Sequence, residues 1–189
     1  MSPSSLTQQS STPRAVSLNQ NTALKYLAIS PFTNRYDQSP SQTPATITMN
    51  LFACFPRILT EDAESLVFKI RILERHPFTA QTFIPMGLAA ADHSTKYLVI
   101  VAPTLGGTSV LPDRGPPDLA NLQAFMAHGG QAVTYAAGTW HAPMVVVGMN
   151  RVDFVVAQFC NGVPAEDCEE MELEGDGFGV VVELPSCAP

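Results

Sequence analysis

Apolar residues come along this chain in short bursts, not in long stripes. The runs "TITMNLFAC" (46–54), "SLVFKIRILERH" (65–76), "TFIPM" (82–86), "YLVIVAP" (97–103), "QAVTY" (131–135), "MVVVGM" (144–149), "DFVVAQF" (153–159) and "GVVVELP" (179–185) are each of strand length. They are rich in β-branched and aromatic residues, which pack well on a pleated surface, and Gly, Pro, Asn and Asp separate them. Many short strands at close spacing predict a sandwich or barrel. One segment reads differently. In "PPDLANLQAFMAHGG", Asp118 is placed as an N-cap, and Leu119, Leu122, Phe125 and Met126 recur at helical spacing. Gly129 or Gly130 offers a left-handed stop, so a short helix is expected over 118–128. The expected fold is all-β dominated with that one helix.

Residues 1–15 are mainly Ser, Thr, Gln and Pro and offer little to bury, which predicts a disordered tail ahead of one domain spanning 16–189. "DQSPSQTPA" (37–45) reads as a loop, and "CEEMELEGD" (168–176) as a solvated acidic loop. With 189 residues, 46% of them hydrophobic, the chain can bury a core without disulfides. Cys54, Cys160, Cys168 and Cys187 are scattered with no paired C-x-x-C spacing, so free thiols are expected and a paired-cysteine zinc site is not.

Charge narrows the partners. A net charge of −7 and a pI near 4.9 argue against recognition of nucleic acid through phosphates. A small anionic substrate remains compatible, because a local positive site can sit within an acidic protein. No run approaches the roughly 18 apolar residues of a membrane helix, and the N-terminal residues lack the blocks of a signal peptide. A cytoplasmic protein is expected.

The run "ILERHPFTAQTFIPMG" (72–87) breaks the apolar pattern with Glu74, Arg75, His76 and Gln81. Burying such groups is costly unless they are paired or bound to something. Alternation along a strand puts Glu74 and His76 on one face and Arg75 on the other, where an outward salt bridge is expected. Gln81 returns on the next strand. In "GGQAVTYAAGTWHAPM", Gly138 permits a tight turn and His141 opens the following strand, with Trp140 beside it. Glu74, His76, Gln81 and His141 together suit a divalent metal or a polar ligand.

These two stretches resemble the two motifs of the cupins, small β-barrels patterned G-x5-H-x-H-x3,4-E-x6-G and G-x5-P-x-G-x2-H-x3-N. Laid on this chain, the paired histidine positions fall on Glu74 and His76, the acidic position on Gln81, and the closing glycine near Gly87. The second motif runs from Gly130 through Ala136 and Gly138 to His141. Glu replaces one His, Gln replaces the Glu, and the opening Gly and final Asn are missing.

A narrower likeness lies in "LERHPFTAQTFIPMG", "PDLANLQAFMAHGGQAVTYAAGTWHAP", "RVDFVVAQF" and the early "LNQNTALKY", which resemble the ureidoglycolate lyase family. That resemblance, to fungal members in particular, implies a cupin-like (jelly-roll) barrel that cleaves (S)-ureidoglycolate to glyoxylate and urea in allantoin catabolism. It also implies a homodimer, a small-molecule substrate and no organic cofactor. Under it, His141, His76 and Glu74 are the expected catalytic residues. The same four polar residues would hold any divalent ion. Arg57, Gln81, Asn19, Asn21 and Trp140 are expected to contact substrate, Arg57 as a forked carboxylate clamp. Rival readings are a non-catalytic cupin binding module, or another cupin enzyme such as an isomerase or metal-dependent oxygenase.

Overall fold

The structure, a computed structural model, describes residues 14–62, 65–106, 115–175 and 178–182. The chain falls into two compact units, 1–31 and 32–189. The first holds an antiparallel hairpin of β1 (Ala15–Leu18) and β2 (Ala23–Tyr26). Its turn sets Asn19, Gln20 and Asn21 at φ of 49°, 57° and 69°. Asparagine tolerates this left-handed region better than most residues. Ser17 Oγ donates to Asn21 Oδ1 at 2.8 Å, and the Thr22 hydroxyl donates to the Asn19 carbonyl at 2.6 Å.

The second unit contains β3 (Thr46–Cys54), β4 (Thr60–Asp62), β5 (Ser65–Ile70), β6 (Ile72–Arg75), β7 (Gln81–Pro85) and β8 (Lys96–Ala102). It continues with β9 (Gln123–His128), β10 (Val133–Tyr135), β11 (Trp140–His141), β12 (Val145–Val147), β13 (Val152–Cys160), the short helix α1 (Pro164–Asp167), β14 (Glu169–Glu172) and β15 (Phe178–Val182). The strands form a four-stranded sheet ordered β10-β7-β13-β3, a six-stranded sheet β12-β8-β11-β6-β14 with β9 on β8, and a three-stranded sheet β15-β5-β4. The architecture is all-β and cupin-like.

Strands β8, β11 and β12 of the six-stranded sheet are buried on both faces, and alternation along them decides which residue goes where. Leu73, Leu98, Ile100, Ala102 and Trp140 pack toward Phe68, Ile70 and Val180 of the three-stranded sheet. Tyr97, Val99 and Val146 pack the other way, toward Phe83, Phe154 and Val156 of the four-stranded sheet. In that second layer Phe83 and Tyr97 stand edge-on to Phe154, with centroids 5.8 and 5.2 Å away. Phe154 is fully buried, worth about 1.5–3 kcal/mol in transfer from water. The candidate site lies within this second layer.

Three expectations need correction. The segment 118–128 is not a helix. Asp118 does cap, its carboxylate accepting from the Ala120 N–H at 3.1 Å, but only a 3-10 turn over Leu119–Asn121 follows. Leu122 then turns extended, and residues 123–128 pair with β8 from Val101↔Gln123 to Lys96↔His128. Six residues of ladder outweigh a marginal local helical preference. The one short α-helix lies instead at Pro164–Asp167. The acidic stretch is also not a loop: Glu169–Glu172 is an ordered strand paired with β6. The run 65–76 is two strands, β5 and β6, in different sheets.

The expected tail over 1–15 lies mostly outside the described residues, although Ala15 already belongs to β1. Cys54, Cys160 and Cys168 are free thiols, and Cys187 lies outside the described residues. Among the described residues no helix is long and apolar enough to cross a membrane.

Candidate active site

The two polar segments meet because β6 and β11 are hydrogen-bonded neighbours with Glu74 and His141 as direct Cα partners. Directly opposed residues present their side chains to the same face. Gly138 makes the approach possible: it sits at φ 81°, and its N–H donates to the His76 carbonyl at 2.8 Å. His76, just past the end of β6, and His141 are both buried, their ring centroids 5.6 Å apart.

The protonation pattern follows from the backbone. His76 Nδ1 lies 2.6 Å from the Asp167 carbonyl oxygen, and His141 Nδ1 lies 2.9 Å from that of Thr139. A carbonyl can only accept, so each Nδ1 carries the hydrogen, and in the neutral ring Nε2 is the atom that keeps a lone pair. Both Nε2 atoms are buried with no hydrogen-bond partner among the described residues. His141 Nε2 approaches Glu74 Oε1 at 3.5 Å, longer than an ordinary hydrogen bond. One ligand atom from each of Glu74, His76 and His141 falls within 4.8 Å of the others.

Electrostatics sharpen these roles. Burial pushes the Glu74 carboxyl up, but His141 and then His76 more than offset this, and it sits below the usual carboxylate range. Burial pushes His76 below the usual imidazole range, partly opposed by its bond to the Asp167 carbonyl. At neutral pH Glu74 is therefore a carboxylate and His76 a neutral imidazole.

Two further residues complete the inner wall. Tyr135 stacks on His141 almost in parallel, with centroids 3.9 Å apart and planes 11° apart. Its direct partner across the β10–β7 pair is Gln81. Gln81 shares its strand face with Phe83, and its Nε2 donates to Gln158 Oε1 at 2.7 Å, while its own Oε1 is buried without a partner among the described residues. The sequence reading passed over Tyr135 and Gln158. The available signal was a polar-tipped residue ending the apolar run 131–135, three before Gly138.

A cleft of about 380 Å³ opens beside the cluster, lined by residues that include Phe52, Arg57, Glu74, Phe83 and Met144. Arg57 is exposed at this cleft, its guanidinium also 5.6 Å from the Phe68 ring centroid. Trp140 faces the other way. Its Nε1 donates to the Gly115 carbonyl at 3.1 Å, and Arg75 lies 4.5 Å over its ring, on the side of the sheet opposite His141. The expected substrate contact from Trp140 is corrected by this strand parity. Arg75 does form an ion pair, with Glu169 at 2.6 Å, but it is buried against Trp140 and does not point outward. Asn19 and Asn21 lie in the β1–β2 turn of the first unit.

Two lone-pair imidazoles and a carboxylate turned into the interior of a cupin-like scaffold, beside an open cleft, are the build of a small-molecule enzyme of that superfamily. The chain belongs to the ureidoglycolate lyase family, whose model matches residues 4–180. It is 40% identical over 170 residues to the ureidoglycolate lyase of Schizosaccharomyces pombe, covering 90% of this chain and 84% of the relative. It is 40% identical over 169 residues to that of Saccharomyces cerevisiae, covering 84% of this chain and 78% of the relative. A ureidoglycolate lyase of Burkholderia mallei matches at 34% over 57% of this chain and 49% of its own length. The chain is thus of the fungal type.

Proposed function

We propose that this protein is a carbon–nitrogen lyase, of the amidine-lyase kind, that splits (S)-ureidoglycolate into glyoxylate and urea in allantoin breakdown in the cytoplasm. The observation that carries the chemistry is the pair of buried Nε2 atoms, without a hydrogen-bond partner among the described residues, beside the Glu74 carboxylate. The substrate carbon bears a hydroxyl, a carboxylate and a ureido nitrogen. Collapse requires a proton removed from the hydroxyl and one delivered to the nitrogen, with no water consumed. His141 Nε2 takes the hydroxyl proton, and Glu74 stabilises the resulting imidazolium. As the C=O bond forms and the C–N bond breaks, His141 returns the proton to the departing urea nitrogen. His76, kept neutral by burial, accepts a hydrogen bond from the substrate and holds its orientation.

Glu74, His76 and His141 also fit a divalent ion. Their donor atoms are a carboxylate oxygen and two deprotonated imidazole nitrogens, each ring anchored through Nδ1 to a carbonyl as metal-bound histidines commonly are. Gln81 Oε1 would be a fourth donor on the same wall. Such an ion would lower the pKa of a bound hydroxyl and hold the substrate carboxylate. Incubating the purified protein with (S)-ureidoglycolate should release urea and glyoxylate in equal amounts. Absence of both products would return the protein to the binding-module reading.

Arg57 acts as the carboxylate clamp at the cleft. Changing it to Ala should raise KM several-fold with little change in kcat, and an unchanged KM would remove it from the substrate.

We also propose a homodimer. The edge strand β3 exposes Ile47, Met49 and Leu51 on one face, continued by Ile84 of β7. A long apolar edge left open invites pairing with a second chain. Sedimentation should give twice the chain mass, and Met49→Lys should yield monomers; a native monomer at micromolar concentration would refute the pairing.

A further inference from the structure

The inner wall of the site is nearly all acceptor. Glu74 is a carboxylate, His76 presents a bare Nε2 atom, and Gln81 presents its Oε1. An acid with a carboxylate and a carbinol oxygen needs donors as well. Arg57 supplies them only at the exposed part of the cleft. Against His141, one buried hydroxyl has nothing to bond: Tyr135 is 4% exposed, and its Oη is buried with no hydrogen-bond partner among the described residues.

That hydroxyl cannot easily swing away to find a partner. The Tyr135 ring is stacked on His141 at 3.9 Å and met edge-on by Phe83 at 5.9 Å. An idle buried hydroxyl is destabilising, and a phenylalanine would fill the same space without that cost. We propose that the Tyr135 hydroxyl is the buried hydrogen-bond donor of this site, contacting a carboxylate or developing alkoxide oxygen of the bound hydroxy acid. The proposal rests on the lyase reading given above and adds a residue to it. A phenol keeps its proton across neutral pH, so it stays a donor there. Stacked against His141, the same ring also fixes the plane of the proposed base.

Tyr135→Phe removes the oxygen and keeps the stack. The variant should melt at or above the native temperature and lose roughly 10- to 100-fold in kcat/KM on (S)-ureidoglycolate, the range for a buried bond to a charged group. It should also lose the thermal stabilisation that glyoxylate confers on the native protein. A kcat/KM within twofold of native would overturn the proposal. So would a clear drop in melting temperature, because the hydroxyl would then have an internal partner. A native protein that turns over no ureidoglycolate but is stabilised by glyoxylate, with the effect lost in Tyr135→Phe, would overturn the lyase reading and uphold the donor role. No turnover and no glyoxylate effect in the native protein would overturn both.

Discussion

Replacing His141 by Ala should lower turnover of ureidoglycolate by about 10²- to 10⁴-fold, the usual range for losing a positioned acid–base group. The imidazole is 1% exposed, is the direct strand partner of Glu74 and carries the stacked ring of Tyr135. Its removal leaves a ring-sized space and a Glu74 carboxylate without its neighbour, so some loss of thermal stability should accompany the loss of rate. Two controls separate these effects. Circular dichroism should still report a folded β protein at the assay temperature. Free imidazole in the buffer should restore part of the rate by entering the vacated space. Near-native turnover would take His141 out of the mechanism, and a rate that imidazole leaves untouched would weaken its assignment as the proton carrier.

Changing Glu74 to Gln should lower turnover by about 10- to 100-fold while preserving shape, since charge-assisted contacts of buried groups are worth a few kcal/mol. Glu74 raises the proton affinity of His76, against the larger downward push of burial, so the variant's His76 should hold its proton less well still. In the native protein this imidazole already lies below the ordinary value of about 6.5. Loss of the substrate hydrogen bond that neutral His76 accepts should therefore set in below that value, and lower still in the variant. Stability follows the same sign. As pH drops through about 6.5 the unfolded chain takes up the His76 proton first, so the fold loses stability on the acid side. Metal content should be measured on both proteins. Weaker retention of a divalent ion by Glu74→Gln, with turnover lost on chelation and regained on adding the ion back, would place the carboxylate among its ligands. Full turnover by chelated native protein would leave Glu74, His76 and His141 as acid–base groups alone.

The strands were legible in the sequence because their signal is local. Valine-rich runs such as 145–147 and 152–160 have no comparably good alternative to a sheet. The parity argument that set Glu74 apart from Arg75 also needed only alternation, and the structure keeps it, with Arg75 packed against Trp140 and Glu74 facing His141. What was not legible depends on distant partners. Leu119, Leu122 and Met126 satisfy a helical period, yet all three pack against the same core from a turn and a strand. Only the neighbouring β8 edge makes that choice favourable. The acidic run 169–172 looks solvated until Arg75 and β6 are seen beside it. Tyr135 escaped notice for a similar reason: nothing near it in sequence reveals the imidazole it lies against.

The six-stranded sheet has chemistry on one side and ordinary packing on the other, with Trp140 and His141 adjacent in the chain but facing opposite layers. Changes at Leu73, Arg75 or Trp140 can reach the reacting groups only by tilting the shared backbone. That rear layer is therefore a place where evolution or an engineer can fine-tune distances among catalytic groups without altering the groups themselves.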